Sequence, residues 1–362
     1  MFQVEKAIGF EWAIDHVDKS KFEFSIISIN VPENTAFEKF SNERNIPFFR
    51  VTCSSKWRIP NAVLKVYQIL KKIKPDVIYC HLYEDNIICL PDAILDDIPN
   101  RIFTSHHSTY HHTIAPSGKK YDLLINKLAT NIISISENVS NILKKEGVPN
   151  EKIHLIHHGF DLSFFYAIDE NRINIVKQKY NPTNKHPVIG VVSRYTEWKG
   201  IKYTITAFKK ILETHPNALL VLANAKGNDS EVKNLIKTIP ENNYIEVIFE
   251  EDNAALFKLF DVFVHVPIDP EIEAFGQIYI EALAVGIPSV FTLSGVAREC
   301  IINNTNALVV DFKNADQIYD AVYTLLSNVH LAEKLIINGK NTIEEKFSLS
   351  LYINKLEKIY SL

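Results

Sequence analysis

The stretch EAFGQIYIEALAVGIP, residues 273–288, joins two carboxylates to a strand-to-helix loop. It follows the strand-like run DVFVHV and a loop that contains proline, and Gly276 stands where this loop leads into a helix. The first backbone amides of a helix have no intrahelical partner and carry the positive end of the helix dipole. We therefore expect the amides of Phe275, Gly276 and Gln277 to bind an anionic or hydroxyl-rich ligand.

The two glutamates of this stretch are spaced to act together. Glu281 follows Glu273 by eight positions, close to two helical turns, which places Glu281 on the same side as the loop. Its neighbours in the helix are apolar, and a helix rarely buries an unpaired carboxylate without a function. The spacing equally allows a glutamate at the helix edge that pairs with a basic side chain.

A second loop, SRYTEWKG at residues 193–200, carries two cations directly after the strand-like run VIGVV. Arg194 and Lys199 are thus predicted at the carboxyl end of a strand, where both can face a diphosphate and where a following helix directs its amide end. A single loop cation is usually a solvated surface charge. Here the cations and the glutamates fall on the same predicted edge of one sheet.

The elements that must position these residues are short β-rich runs that alternate with helical patterns. The first half contains FEFSIISI, a helix over 60–73, DVIYCHL, RIFTSHH, NIISIS and KIHLIHH. The second half contains VIGVVS, ALLVLAN, YIEVIFE, DVFVHV, SVFTL and ALVVD, with helices such as 200–213 and 277–285 between them. This order is typical of parallel sheets with crossover helices.

The pattern predicts two doubly wound, Rossmann-like α/β domains that face each other across a cleft. Residues 1–172 form the first domain and residues 188–342 the second, joined by a polar linker over 173–187. Residues 343–362 form a closing helix that packs back toward the first domain. Ligands of such sheets bind at the carboxyl ends of the strands, so the loops described above belong to the predicted cleft.

Composition excludes several classes of protein. The 362 residues include 39 basic and 43 acidic side chains, giving a formal net charge of -4, which is not the electrostatic footprint of a nucleic-acid binder. The cysteines lie far apart without a C-x-x-C pair, which argues against zinc ribbons and disulfide scaffolds. They are Cys53, Cys80, Cys89 and Cys300. Charged residues interrupt every apolar stretch near the start, and nowhere do about 18 uncharged apolar residues run together, so we expect neither a secretory leader nor a spanning helix and place the protein in the cytoplasm.

One segment qualifies the cytoplasmic assignment. Residues 51–75 contain basic side chains and no acid, and apolar residues recur there at helical spacing from Val63 to Ile73. A basic amphipathic helix near residues 56–74 could rest on the inner face of an anionic membrane as a peripheral contact. The alternative is a solvated helix face whose apolar stripe packs on a sheet.

Together these residues resemble the family-four retaining glycosyltransferases of the GT-B fold. The resemblance rests on EAFGQIYIEALAVGIP, SRYTEWKG, HHGFD at 157–161 and SGVAREC at 294–300. It extends over nearly the whole chain through KPDVIYCH, IFTSHH and the closing FSLSLYINKLEKIY. The glutamate pair is its specific part, since a glycine-rich turn alone would not identify the family.

The resemblance implies a nucleotide-diphosphate sugar as the donor. Arg194 and Lys199 then hold the diphosphate, Glu281 accepts hydrogen bonds from the ribose, and Glu273 contacts the transferred sugar. His106 approaches the donor sugar from the other domain. The resemblance also implies that sugar hydroxyls and phosphate are bound by the backbone amides of Phe275, Gly276, Gln277 and Ile278.

The implied reaction transfers a hexose or N-acetylhexosamine to a glycan or lipid-linked acceptor, as in polysaccharide biosynthesis. Cations and amides stabilise the leaving diphosphate while the anomeric carbon becomes oxocarbenium-like. Retention implies attack from the same face, with the leaving phosphate taking the acceptor proton. No metal and no cofactor besides the donor substrate is required.

A histidine-rich segment, HHSTYHH at 106–112, raises the question of a metal. His107 and His111 are four residues apart, but no glutamate follows His107, so the H-E-x-x-H pattern of zinc proteases is absent. Hydrogen bonding to sugar or acceptor is the better functional interpretation. His111 and His112 can equally be loop residues without a function.

The sequence departs from the family at three places. LANAKG has Asn224 and Ala225 where relatives have a glycine-rich turn, and VIFEEDN has two glutamates where a glycine is common, which leaves the donor base open. MFQVEKAIGF resembles the helix after the family's first strand, so that strand and its loop glycines are expected to be missing. Either the start site is assigned too late, or the amino-terminal sheet is a variant that lacks its first strand.

Two other functions remain compatible with this fold. One is a sugar-nucleotide epimerase, which needs acid and base groups around its substrate but no acceptor cleft. The other is an inactive relative that only binds a sugar nucleotide, suggested by the missing first strand and the altered turns. The joint presence of Arg194, Lys199, Glu273 and Glu281 favours the transferase.

Overall fold

The computed structural model describes residues 8–106, 108, 109, 111 and 116–362. The chain divides into two compact units, one made of residues up to Phe160 together with Phe347–Leu362, the other of Asp161–Lys346. Both are α/β, in agreement with the predicted fold class. The division differs from the predicted boundary at residue 172.

The first unit contains two separate parallel sheets. One pairs β1 with β2, and the other has the order β3-β4-β5-β6. Within the described residues no strand pairs with both β1 and β3. Residues 1–7 of the segment MFQVEKAIGF lie outside the described residues. The strands are Ile26–Ile29 (β1), Phe48–Val51 (β2), Val77–Cys80 (β3), Asn100–Ser105 (β4), Asn131–Ser134 (β5) and Ile153–Leu155 (β6).

Helices cover the sheets of the first unit. Its helices include Ile8–His16 (α1), Ala36–Glu43 (α2), Ile59–Ile73 (α3), Tyr83–Leu95 (α4), Lys119–Leu128 (α5), Glu137–Lys145 (α6) and, at the carboxyl end, Leu349–Tyr360 (α16). Apolar residues of α1 and α16 form one buried cluster with Ile102 and Ile133 of the four-stranded sheet and with Ile156, which follows β6. The side-chain amide of Asn100 also donates to the backbone carbonyl of Ile359 over 2.7 Å. The carboxyl-terminal helix is thus part of the first unit, and it begins at Leu349 rather than at residue 343.

The second unit has a six-stranded parallel sheet with the order β12-β11-β10-β7-β8-β9. All six predicted runs form strands. The strands β7, β8, β10 and β11 are fully buried, and side chains buried on both faces of a parallel sheet give near-continuous apolar runs. The strands are Val188–Val192 (β7), Leu219–Ala223 (β8), Tyr244–Val247 (β9), Val262–His265 (β10), Ser289–Phe291 (β11) and Leu308–Val309 (β12).

The helices of the second unit begin before the predicted boundary. They include Ser163–Tyr166 (α7), Glu170–Tyr180 (α8), Ile201–Thr214 (α9), Ser230–Ile236 (α10), Asn253–Phe257 (α11), Gln277–Val285 (α12), Ala297–Cys300 (α13), Ala315–Ser327 (α14) and Val329–Phe347 (α15). The predicted linker over 173–187 therefore starts inside α8. This helix is fixed to the unit by Arg172, which donates to both carboxylate oxygens of Asp252 over 2.7 Å each.

Helices α3 and α4 of the first unit meet at a buried acid. Asp92 of α4 is 0% exposed and faces the backbone of Tyr67 in α3, without a well-formed hydrogen bond to either carboxylate oxygen. Burial and the nearby Asp96, which lies 3.7 Å from the ammonium of Lys71, raise the pKa of Asp92 from its usual 3.8 to about 6. The folded chain therefore holds this proton more tightly than the unfolded chain does.

We expect Asp92→Asn to increase the free energy of unfolding by about 1–3 kcal/mol at pH 7.5 and to change it little at pH 4. The raised pKa means that the neutral carboxyl is tolerated at low pH and that its ionisation costs stability as the pH rises through 6. Urea unfolding at the two pH values measures this. Asp97→Asn, which removes an exposed acid beside the same helix, is the control; equal gains in both variants would contradict the assignment.

Candidate functional site

Two neighbouring strands of the second unit carry the predicted donor loops. Strands β7 and β10 pair in parallel, so the loop 193–200 after β7 and the loop 266–276 after β10 lie at the same edge of the sheet. Helix α9 follows the first loop and α12 follows the second. The sheet topology thereby brings together Lys199 and Glu273, which are 74 residues apart in the sequence.

Lys199 and Glu273 form a largely buried ion pair. The Lys199 Nζ lies 2.5 Å from Glu273 Oε1, and both side chains are mostly shielded from solvent. The Nε2 atom of His265, the last residue of β10, lies 3.4 Å from the same oxygen. Burial alone would raise the pKa of Glu273, but His265 and Lys199 outweigh burial and hold the pKa at about 2. The carboxylate is therefore ionised throughout the physiological range.

Gly200 allows the lysine loop to come this close to β10. Its φ of +68° is in the left-handed region, and a Cβ atom there would lie 2.0 Å from the carbonyl oxygen of Val266. The same approach lets the amide of Ile268 donate to the carbonyl of Trp198 over 3.0 Å. A side chain at position 200 would push the two loops apart, and Lys199 with them.

A third loop, containing Ser294 and Gly295, supports the glutamate loop from the adjacent strand β11. The Ser294 hydroxyl donates to the carbonyl of Asp269 over 2.7 Å and accepts from the amide of Glu273 over 3.3 Å. The amide of Val296 donates to the carbonyl of Phe275. These bonds fix the backbone on both sides of Glu273, so the SGVAREC segment acts on the site through the loop conformation.

Helix α12 starts at the site with free amides. Gly276 precedes it with φ +88°, a conformation that glycine adopts without strain. Within the described part of the chain, the amides of Gln277 and Ile278 have no hydrogen-bond acceptor, as expected for the first helical positions. Phe275 is buried and does not present its side chain to a ligand. The first two amides of α12 are therefore unpaired among the described residues, and Gly276 lies close to Glu273, since a Cβ atom at position 276 would lie 4.0 Å from Glu273 Cγ.

The second glutamate, Glu281, lies in the second turn of α12. Burial raises its pKa to about 7, which means that a small change in surroundings decides its charge near neutral pH. Among the described residues it has no basic partner, so the helix-edge salt bridge that the spacing allowed is not formed. The ionised form of this carboxyl only accepts hydrogen bonds, whereas the protonated form can also donate one.

The remaining predicted cation, Arg194, follows β7 directly and is exposed. No hydrogen bond or ion pair joins its guanidinium to the described residues, so it is available to an incoming anion. The described residues also contain no group of three or more metal-ligating side chains. None of the described helices has the length and apolar character needed to cross a bilayer.

The predicted histidine, His106, belongs to the first unit and follows β4. Its ring stacks on His158 at 5.6 Å between centroids and lies 5.9 Å from the ring of His81. His111 is buried, and its Nδ1 lies 2.6 Å from Asp122 Oδ2, which gives it a structural partner. His107 and His112 lie outside the described residues.

His265 was not predicted as a site residue. It is the fifth residue of the run DVFVHV, where it resembles one more buried position in the strand. The only signal was a titratable side chain at the carboxyl end of a strand.

Comparison with protein families matches two models to the chain. The model described as "Glycosyl transferases group 1" matches residues 173–342, and the model described as "Glycosyltransferase Family 4" matches residues 14–164. Together they span most of the chain.

Two relatives share moderate sequence identity with the chain. The capsular polysaccharide biosynthesis glycosyltransferase CapM of Staphylococcus aureus is 26% identical, over 83% of this chain and 80% of the relative. An uncharacterized glycosyltransferase of Methanocaldococcus jannaschii is 29% identical, over 63% of this chain and 58% of the relative.

Solved structures show the same fold over nearly the whole chain. HepE of Anabaena, crystallised with UDP-glucose, has a TM-score of 0.81 at 20% identity and covers 100% of this chain and 98% of its own. A glycosyltransferase of Rickettsia africae has a TM-score of 0.79 at 23% identity and covers 98% and 93%. With both halves matched by family models and the whole chain matched in fold, the protein belongs to the group 1, family-four glycosyltransferases of the GT-B fold.

Proposed function

We propose that the protein is a retaining glycosyltransferase that moves a hexose or N-acetylhexosamine from a nucleotide-diphosphate sugar to a glycan or lipid-linked acceptor. The observation that carries the proposal is the buried Lys199–Glu273 pair beside the first amides of α12. The names of similar proteins support it: CapM acts in capsular polysaccharide biosynthesis, and HepE was crystallised with UDP-glucose.

In the proposed reaction the site stabilises a departing diphosphate. Lys199, the exposed Arg194 and the amides of Gln277 and Ile278 supply positive charge where phosphate oxygens gain negative charge. Glu273 hydrogen-bonds the transferred sugar, and Glu281, with a pKa of about 7, accepts from the ribose hydroxyls. The acceptor attacks from the face that the diphosphate leaves, and the leaving phosphate takes its proton. As proposed, these groups suffice without a metal or cofactor.

The role of His106 stays part of this proposal. In the first unit its ring is held against His158, whose pKa burial lowers to about 4. The neutral ring of His158 therefore adds no positive charge beside His106 at pH 7. We propose that His106 hydrogen-bonds the transferred sugar.

The proposal is tested by a thermal-shift panel of UDP, GDP, ADP and their sugar conjugates, with and without EDTA. A ligand that binds only the folded chain raises the melting temperature with its occupancy. We expect one base to give a shift that survives EDTA, and Glu281→Ala to reduce that shift. A wild-type chain that folds cooperatively and shifts with none of the ligands would contradict the donor site.

The alternatives give different products with the bound donor. An epimerase converts the sugar nucleotide without an acceptor, which product analysis by mass spectrometry and NMR detects. An inactive relative shows a thermal shift but neither hydrolysis nor transfer. We expect slow hydrolysis of one donor without an acceptor and faster loss of the donor with a suitable glycan or lipid-linked sugar.

We also propose a peripheral membrane contact through the segment around α3, which would place the enzyme at the cytoplasmic face of an anionic membrane. The predicted apolar stripe is not available for this, since Val66 and Leu70 are buried in the unit. Trp57 and Leu64, however, are 95% and 55% exposed. Trp57 lies in the short 3-10 turn Lys56–Arg58 just before α3, and Leu64 lies in the second turn of α3, where Lys65 follows it in the chain. An amphipathic tryptophan beside cations suits a membrane interface.

We expect the protein to bind vesicles of phosphatidylglycerol and not those of phosphatidylcholine. Trp57→Ala should weaken binding about tenfold, and Lys65→Glu with Lys72→Glu should weaken it further and reduce its salt dependence, because each cation near the surface contributes about 1 kcal/mol. Vesicle co-sedimentation measures both. The control, Lys209→Glu with Lys237→Glu, reverses two exposed lysines of the second unit; equal losses there would indicate a non-specific charge effect.

A further inference from the structure

His265 is a buried titratable residue that the reaction proposed above leaves without a role. It is 1% exposed at the end of β10. Its ring stacks parallel to Phe263 at 6.4 Å and meets the ring of Tyr279 edge-on at 4.8 Å. The Tyr279 hydroxyl in turn donates to the carbonyl of Thr292 over 3.1 Å. The imidazole is therefore held in one orientation, with Nε2 toward Glu273.

His265 and Lys199 both lie next to the same oxygen atom of Glu273, Oε1. The lysine nitrogen lies 2.5 Å from Oε1, while the histidine Nε2 lies 3.4 Å from it, longer than an ordinary hydrogen bond. Without a ligand, Lys199 thus dominates the carboxylate. Hydrogen bonds of this kind commonly tighten only when the ligand is bound.

In the proposed donor site Lys199 also binds a second anion, the diphosphate of the donor. A diphosphate at the start of α12 attracts the ammonium of Lys199. Each N–H of this ammonium that donates to phosphate no longer donates to Glu273. A carboxylate that is buried beside a diphosphate and has lost its cation would take up a proton. It would then no longer present two acceptor oxygens to a sugar hydroxyl.

We propose that His265 is a positioning residue that holds Glu273 ionised and oriented when a nucleoside diphosphate draws Lys199 away. The inference rests on the proposed function. The neutral ring donates from Nε2–H, so the exchange of partners adds no charge to the buried site. Burial lowers the pKa of His265, and together with the ammonium of Lys199 it outweighs the opposite effect of Glu273, which favours the neutral ring at pH 7.

Proton uptake on nucleotide binding tests this role independently of turnover. Isothermal titration at pH 5.5, in buffers with different ionisation enthalpies, gives the protons taken up when UDP, GDP or ADP binds. We compare the wild type with His265→Gln, whose amide keeps a donor, and His265→Phe, whose ring keeps the packing alone. Protonation of the nucleotide itself is common to all three proteins and cancels in the difference.

We expect His265→Phe to take up as much as about one more proton per nucleotide than the wild type, because Glu273 then loses the donor groups of Lys199 and of His265, and His265→Gln to stay close to the wild type. The pH profile of kcat should show the same pattern, with its acidic limb moved to higher pH only in His265→Phe. Equal uptake in all three proteins overturns the role of His265 and leaves the donor site standing. No nucleotide binding by the wild type overturns the donor site and the partner exchange together.

Discussion

Lys199→Ala should lower kcat/KM at least 100-fold and also reduce the free energy of unfolding by about 2–4 kcal/mol. The loss in rate follows from removing a positioned cation from the leaving diphosphate. The loss in stability follows because Glu273 remains a largely buried carboxylate that has lost the ammonium of Lys199, while the contact from His265 Nε2 is longer, at 3.4 Å. Donor turnover and urea unfolding measure the two effects separately.

A charge-neutral double variant separates the two effects. Lys199→Met with Glu273→Gln removes both charges, so most of the stability should return while activity stays lost. Lys202→Ala is the matched control, because Lys202 pairs at the surface with Glu231 and should change stability by less than about 1 kcal/mol. If Lys199→Ala turned over its donor at a nearly normal rate, the site would not bind the diphosphate as proposed.

Gly200→Ala should destabilise the second unit by about 3–5 kcal/mol or displace the lysine loop enough to abolish activity. The new Cβ would lie 2.0 Å from the carbonyl oxygen of Val266, a backbone atom that cannot move aside cheaply. The bond between Ile268 and Trp198 would then be lost, and Lys199 would be displaced from Glu273. Thermal unfolding and donor binding measure the outcome.

Gly147→Ala separates this close approach from simple backbone strain. Gly147 also has a positive φ, +84°, but a Cβ atom there has no neighbour within 4 Å. Its replacement should cost only about 1–2 kcal/mol, the cost of placing alanine in the left-handed region. Equal losses at the two positions would show that the contact to Val266 is not what makes Gly200 necessary.

The sequence predicted the second unit well because most of its strands, β7, β8, β10 and β11, are fully buried. Runs such as VIGVV and ALLVLA are almost entirely apolar, and all six predicted runs became strands. Strand β2, Phe48–Val51, was missed because only its last residue is buried and Arg50 interrupts the pattern. The domain division was displaced because the polar segment that suggested a linker folds partly into α8.

The site was predicted as two separate loops, and their contact could not be predicted. The Lys199–Glu273 pair forms because β7 and β10 lie side by side in the sheet. The order of the strands decides this, and the spacing of residues along the sequence does not reveal it. His265 was missed for the same reason, since its role depends on the loop that folds over it. Glu281 was placed correctly in α12, but its raised pKa comes from surrounding atoms that periodicity cannot reveal.

The ion pair has a consequence for how fast a donor arrives. A cleft with uncompensated cations attracts a diphosphate over a long range and speeds its association, most strongly at low ionic strength. Here the carboxylate of Glu273 already neutralises Lys199. Of the two cations predicted to bind the diphosphate, only Arg194 has no acidic partner among the described residues. Long-range attraction is then weak, and the association rate should depend little on salt. Tight binding would come from slow dissociation, after the lysine has exchanged its carboxylate for phosphate.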